Sequence, residues 1–239
     1  MYEDLIRDVV DWHGDLVRNI QTIRVSQDLF DDLSDDPAAR AVAVAAEGAE
    51  RIPTPAPFIT RPFDYGSVVT YPFVEWNGHA TRFSDGLRYG VWYGSLELET
   101  TVYETVHHRR RFLLDSFPGE DRVIANERRV FEVRCDAILI DLRGKERKEK
   151  RLVDRASYAY TQPLGRYLRD QGTNGLLVRS ARDVRPKGGV NAALFRAAPL
   201  SDVRDLCHLT YLMNPTQDLA RVERVPGKPW MEVRPSRLV

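Results

Sequence analysis

At 239 residues with 43% hydrophobic side chains, the chain has material for one large domain or for a domain with an appendage. Its 35 Lys and Arg balance 35 Asp and Glu, so the net charge is zero and no general pull toward nucleic acid or an anionic membrane is implied. Cys135 and Cys207 lie in apolar stretches without metal-ligand spacing, the opening MYEDLIRDVV is too acidic for a signal peptide, and no apolar run approaches the ~18 residues of a membrane span. The expectation is a soluble, cytoplasmic protein without a membrane partner.

In the first sixty residues, Leu5, Val9, Trp12, Leu16, Ile20 and Ile23 recur at three- and four-residue steps, which predicts a long amphipathic helix. A second helix is expected over 37–51, where alanine dominates, and Pro53, Pro55 and Pro57 then make a stiff, extended linker. This helical N-terminal extension, 1–60, would serve as a structural layer, as the interface of a homo-oligomer, or as a lid. The main domain is then 61–239, with its first strand over 67–76.

The densest chemistry follows, in 81–111. Arg82 precedes a turn signal, Ser84-Asp85-Gly86, and Val91, Trp92 and Tyr93 have the character of a strand. Ser95 reads as the N-cap of a helix with Glu97 and Glu99 in its first turn and His107, His108 and Arg109 near its end, the order that the helix dipole favours. Leu98, Val102 and Val106 make its core stripe, and Glu104 projects from another side. The spacing Glu104-x-x-His107 occurs once, too few ligands for a metal, and no metal is expected. Farther on, 129–142 reads as a strand pair or one long bent strand. KERKEKR at 145–151 is a solvated loop or helix start, and direct nucleic-acid contact is not expected there. A helix over 162–171 ends at Gly172, a strand over 176–178 delivers Ser180, and a last helix is placed over 215–222.

The order of these residues resembles the RES family, named for its arginine, glutamate and serine and known as the toxin half of RES/Xre toxin–antitoxin pairs. The first block is TRFSDGLRYGVWYGSLELETTVYETVHHRRR. The second runs through YTQPLG, then GLLVRSAR, then GGVNAALF. Arg82, Glu104 and Ser180 match the naming positions and Tyr93 the family's tyrosine. The resemblance covers roughly 67–225 and implies an α+β fold, similar to the ADP-ribosyltransferases, with mixed sheets and flanking helices around a cleft for NAD. The sequence holds neither G-x-G-x-x-G nor a P-loop, so any NAD site is not a Rossmann site.

The resemblance further implies cleavage of the nicotinamide–ribose bond of NAD, by hydrolysis or with inorganic phosphate as acceptor, and an Xre-type antitoxin as partner. That cleavage needs a phosphate holder, a stacking platform and a carboxylate near developing positive charge. Arg82 can give bidentate hydrogen bonds to a phosphate, Tyr93 can stack, and Glu104 would hold ribose hydroxyls and stabilise the charge. No G-x-S-x-G elbow surrounds Ser180, which is read as a polar contact to NAD and not a nucleophile. Arg182 and Asn191 are read as a second phosphate contact and a loop anchor. NAD enters as substrate, with no resident cofactor. Two other readings stay open at this stage: an ADP-ribosyltransferase acting on a macromolecule, and a non-catalytic interaction module.

Overall fold

A computed structural model describes residues 2–21, 38, 42, 65–73 and 80–239. Its trunk is β3, Ile124–Asp141, which at 18 residues is long enough to be paired along both edges. Strand β1, Val9–Gln21, runs antiparallel along one edge, from Val9 opposite Ile140 to Gln21 opposite Arg128. Along the other edge runs β6, Leu200–Met213, between Cys135 opposite Leu200 and Ile124 opposite Met213. Register shifts after Val130 and Val133 bend this pair and tighten its twist.

Past the end of β6, the last residues of β3 take up β4, Gly175–Arg179, in parallel. Strand β5, Val190–Leu194, pairs antiparallel with β4, and β2, Trp92–Ser95, pairs antiparallel with β5. Val17 opposite Ser95 then joins β2 back to β1. These pairings close a circuit, β1-β2-β5-β4-β3, from whose β3 edge β6, β7 (Ala220–Val225) and β8 (Lys228–Val233) extend as a meander.

Three helices with described bounds pack on this frame. The short α1, Tyr65–Thr70, lies where the Trp92 indole donates to Val68 O at 3.0 Å. Helix α2, Leu98–Ser116, buries Val102, Val106 and Leu113 against Val130, Leu209, Tyr211 and Val222. Helix α3, Thr161–Asp170, buries Leu164 and Leu168 against Phe83, Leu142 and Val178. Inside the circuit a third cluster joins Leu16, Trp92, Phe131, Val133, Leu139 and Leu177. Each such side chain, fully buried, contributes ~1.5–3 kcal/mol of transfer free energy. The fold class is therefore α+β, as expected from the sequence.

The N-terminal reading needs correction. Residues 9–21 form strand β1, not an amphipathic helix, and they belong to the main sheet, not to an extension. Trp12, Leu16 and Ile20 are spaced by four, a step that satisfies a period of two as well as one of 3.6. The residues between them decide it: Val9, Asp11, His13 and Asp15 face outward and alternate with the inward set, and β-branched, aromatic, Asn, Asp and Gly residues are poor helix formers. Ile23 and the proline linker lie outside the described residues, as does the helix expected over 37–51 save positions 38 and 42, both helical.

In 67–76 the described part is helix α1 and a 3₁₀ turn, Tyr71–Phe73, where a strand was expected. The final helix placed over 215–222 is instead a turn leading into β7, in which Ala220 and Val222 alternate inward. The charge run at 145–151 forms two 3₁₀ turns, Lys145–Arg147 and Lys150–Val153. Helix α3 and the strand that delivers Ser180 lie where the sequence places them, with Gly172 at φ 76° ending the helix. Among the described residues no helix is long and apolar enough to cross a membrane.

Candidate active site

Helix α2 crosses the seam where β1 meets β2, and a cleft of about 500 Å³ runs beneath it. The helix turns two stripes in two directions. Leu98, Val102 and Val106 go to the core, while Thr101, Glu104, Thr105, His108 and Phe112 line the cleft at steps of three and four. Ser95 is not the cap of this helix: it ends β2, and the N-cap is Glu97, which makes no side-chain cap bond. His107 and His108 lie in mid-helix and not at its end. Burial lowers the pKa of both, His107 to about 3, so neither is a cation at neutral pH.

Glu104 is fixed by two donors. The Ser180 hydroxyl donates to its Oε1 at 2.6 Å, and Asn191 Nδ2 donates to the same oxygen at 2.6 Å. Both partners are themselves held. Ser180 sits one residue past β4, where its Oγ accepts from the amides of Arg182 (3.1 Å) and Asp183 (3.0 Å). Asn191 lies in β5 beside Ser95, whose hydroxyl donates to Asn191 Oδ1 at 2.7 Å. Because both bonds fall on Oε1, the other carboxylate oxygen takes no part in them. The single proton of the Ser180 hydroxyl is committed to Glu104, which agrees with a positioning role and not a nucleophilic one.

Arg82 is 9% exposed and spends Nη1 on Arg179 O at 3.1 Å. Its Nε and Nη2 are buried and meet no hydrogen-bond partner among the described residues. A buried guanidinium with idle donors is an incomplete group that an anion completes. Burial lowers its pKa while the charge of Glu104 works in the opposite direction. Tyr93 lines the cleft with its hydroxyl engaged, accepting from Phe83 N at 2.9 Å and lying 3.2 Å from Thr81 Oγ1. Burial raises its pKa, so the phenol stays neutral. Arg182 lines the cleft too, but its Nη1 and Nη2 donate to Leu238 O (2.7 Å) and Arg155 O (2.6 Å), so its phosphate-contact role rests on fewer free donors than the sequence reading assumes.

The cleft thus gathers Arg82, Tyr93, Glu104, Arg182 and Asn191 in its wall and Ser180 just behind it. Sequence reasoning misses three further arginines of the wall, Arg18, Arg109 and Arg128. Arg18 Nη1 donates to Tyr93 O at 2.6 Å, and Arg128 grips Asn19 through Nε to Oδ1 (2.7 Å) and Nη2 to O (2.6 Å). Burial, aided by Arg128, brings Arg18 down to about 10. Five arginines and one carboxylate line the cleft among the described residues, in a chain whose net charge is zero. The missed arginines left one trace in the sequence: Arg18 interrupts the inward-facing apolar set of β1, and Asn126 and Arg128 do the same in β3.

The site is an arginine-lined cleft in an α+β frame, around one carboxylate fixed by a serine and an asparagine. The profile of the RES domain matches residues 49–214, well over half of the chain, and the chain belongs to the RES domain family. Among solved structures, the M. tuberculosis MbcT–MbcA toxin–antitoxin complex is similar, with 15% identity over 83% of this chain and 86% of that chain and a TM-score of 0.41. No curated protein matches the chain.

Proposed function

We propose that the cleft binds NAD and breaks the bond between nicotinamide and ribose, and that the chain is a RES toxin held in check by an antitoxin, as its family resemblance implies. The observation that carries the reading is the pairing of a doubly held Glu104 with the idle donors of Arg82 across one cleft. Two guanidinium nitrogens suit a pyrophosphate oxygen pair in bidentate geometry. That contact would anchor the dinucleotide with its nicotinamide ribose beside Glu104 and Tyr93. As the C1′–N bond breaks, its electron pair leaves with nicotinamide and positive charge grows on the ribose. Glu104, already oriented by Ser180 and Asn191, stabilises that charge without reorganising at the moment of reaction. The acceptor oxygen then bonds to C1′, from water, which loses a proton, or from inorganic phosphate.

Purified protein incubated with NAD, with and without phosphate, tests this, with Glu104→Ala alongside and products separated. Phosphate-dependent loss of NAD assigns a phosphorylase, phosphate-independent loss a glycohydrolase, and label appearing on a macromolecule the transferase alternative. Intact NAD after treatment with folded wild-type protein, or undiminished turnover by Glu104→Ala, would overturn the reading.

A further inference from the structure

Helix α2 gives the cleft a length as well as a wall. Glu104 and Phe112 both line it, separated by about 12 Å along the helix axis at 1.5 Å per residue. The chemistry proposed above occupies the Glu104 end. The Phe112 end has groups that this chemistry does not use. Arg109 lies over the Phe112 ring at 5.1 Å, and its Nε is buried without a hydrogen-bond partner among the described residues. Arg128 keeps Nη1 outside its two bonds to Asn19 and lies close enough to Arg109 for the two charges to repel. Asn126, two residues before Arg128 on the same strand face, is 7% exposed, and its Oδ1 too is buried and meets no partner among the described residues. An aromatic ring, two cations and an idle acceptor therefore converge at one end of the cleft.

Resting on the reading of the cleft as a dinucleotide site, we propose that its Phe112 end favours a dinucleotide that carries a phosphate on the adenosine ribose, so that NADP binds more tightly than NAD. Adenine lies against Phe112 and the Arg109 guanidinium, and the ribose phosphate lies between Arg109 and Arg128. Asn126 Oδ1 accepts from the remaining ribose hydroxyl. The cleft's charge points the same way. Five guanidiniums against one carboxylate leave an excess of positive charge that a pyrophosphate alone does not neutralise. A phosphate monoester adds about −1.5 to −2 at neutral pH. A free phosphate bound here could not be the acceptor, because attack on C1′ requires it at the Glu104 end. The idle acceptor of Asn126 also matches a ribose hydroxyl better than a fully ionised phosphate.

The test is calorimetric titration of the full chain carrying Glu104→Gln with adenosine 2′,5′-bisphosphate and with adenosine 5′-monophosphate. Neither ligand has a nicotinamide–ribose bond, so binding is read apart from catalysis. The bisphosphate is expected to bind at least about tenfold tighter, the scale of one or two charge-assisted hydrogen bonds. That preference should vanish in Arg109→Gln and Arg128→Gln, each added to Glu104→Gln. Arg128 clamps β1 through Asn19, so Arg109→Gln is the deciding variant if Arg128→Gln does not fold. Equal affinity for the two ligands, no binding of either, or displacement by inorganic phosphate at concentrations no higher than those of the bisphosphate would each overturn the proposal. Discrimination between the two ligands by a wild-type chain that cleaves neither NAD nor NADP would sink the catalytic reading and leave this one standing.

Discussion

At Glu104 the site's chemistry reduces to two hydrogen bonds on one oxygen. Removing either donor leaves the carboxylate in place but loosely aimed. A hydrogen bond to a charged group is worth ~1.5–3 kcal/mol, so Ser180→Ala should lower kcat for NAD cleavage by about 10- to 100-fold with a smaller change in KM. Steady-state kinetics check this, and an unchanged kcat would mean that Glu104 needs no orientation. The same helix supplies a pH prediction. His107 is held neutral by burial, then by the charges of Arg182, Arg111 and Arg155, with its folded pKa down to about 3. Between that value and the ordinary value near 6.5, the unfolded chain takes up a proton that the folded chain refuses. Stability is therefore full above pH 6.5 and falls as the pH drops through this window. His107→Gln should flatten that fall, measured as the urea midpoint from pH 7 to pH 4. These residues were unequally legible. Arg82, Tyr93, Glu104 and Ser180 were found because their order in the chain carries the family pattern. Arg18, Arg109 and Arg128 reach the cleft only through the pairing of β1 with β3 and the path of α2, and no local pattern announces that.

Among the elements, β1 shows most clearly what period alone cannot decide. A spacing of four between Trp12, Leu16 and Ile20 fits helix and strand alike, and the outward His13 and Asp15 settle it through partners far away in sequence. His13 bonds Asp136 at 2.8 Å and Asp15 pairs with Arg204 at 2.5 Å. With β1 a wall of both core and cleft, its removal is not the removal of a lid. Deleting residues 1–21 should yield an aggregating chain, whereas a lid predicts a soluble one with raised activity; expression and a sedimentation profile distinguish them. Leu16→Ala, at a side chain with no exposed surface, should cost ~2–5 kcal/mol in a urea titration while leaving Arg18 and Asn19 in the chain. Helix α2, β4 and α3 were legible because a local stripe, a short apolar run and a terminal glycine specify them. Strand β7 was not, since its inward Ala220 and Val222 make too short a pattern.

For the whole molecule, charge is neutral in sum and polarised in space. A chain of zero net charge gives little long-range attraction, so the positive cleft acts on ligands only within about one Debye length, ~8–10 Å at physiological salt. The KM for NAD should accordingly rise from 50 to 500 mM NaCl while the melting temperature stays nearly constant. A KM indifferent to salt would show that the arginines bind chiefly one another's carbonyl partners and not the substrate. The α+β class and the family were readable from the sequence. The closure of the sheet was not, because it depends on the single contact of Val17 with Ser95 and on β3 being shared by three neighbours.

That closure also sets a timetable. Gln21, the last residue of β1, pairs with Arg128, so the strand leaves the ribosome more than a hundred residues ahead of its partner. At 5–20 residues per second the wait is on the order of ten seconds, during which the cleft has no floor and Asn19 lacks the grip of Arg128. The cleft cannot be assembled while the chain is being made, and an interval long on the scale of protein association separates the synthesis of β1 from the completion of the cleft.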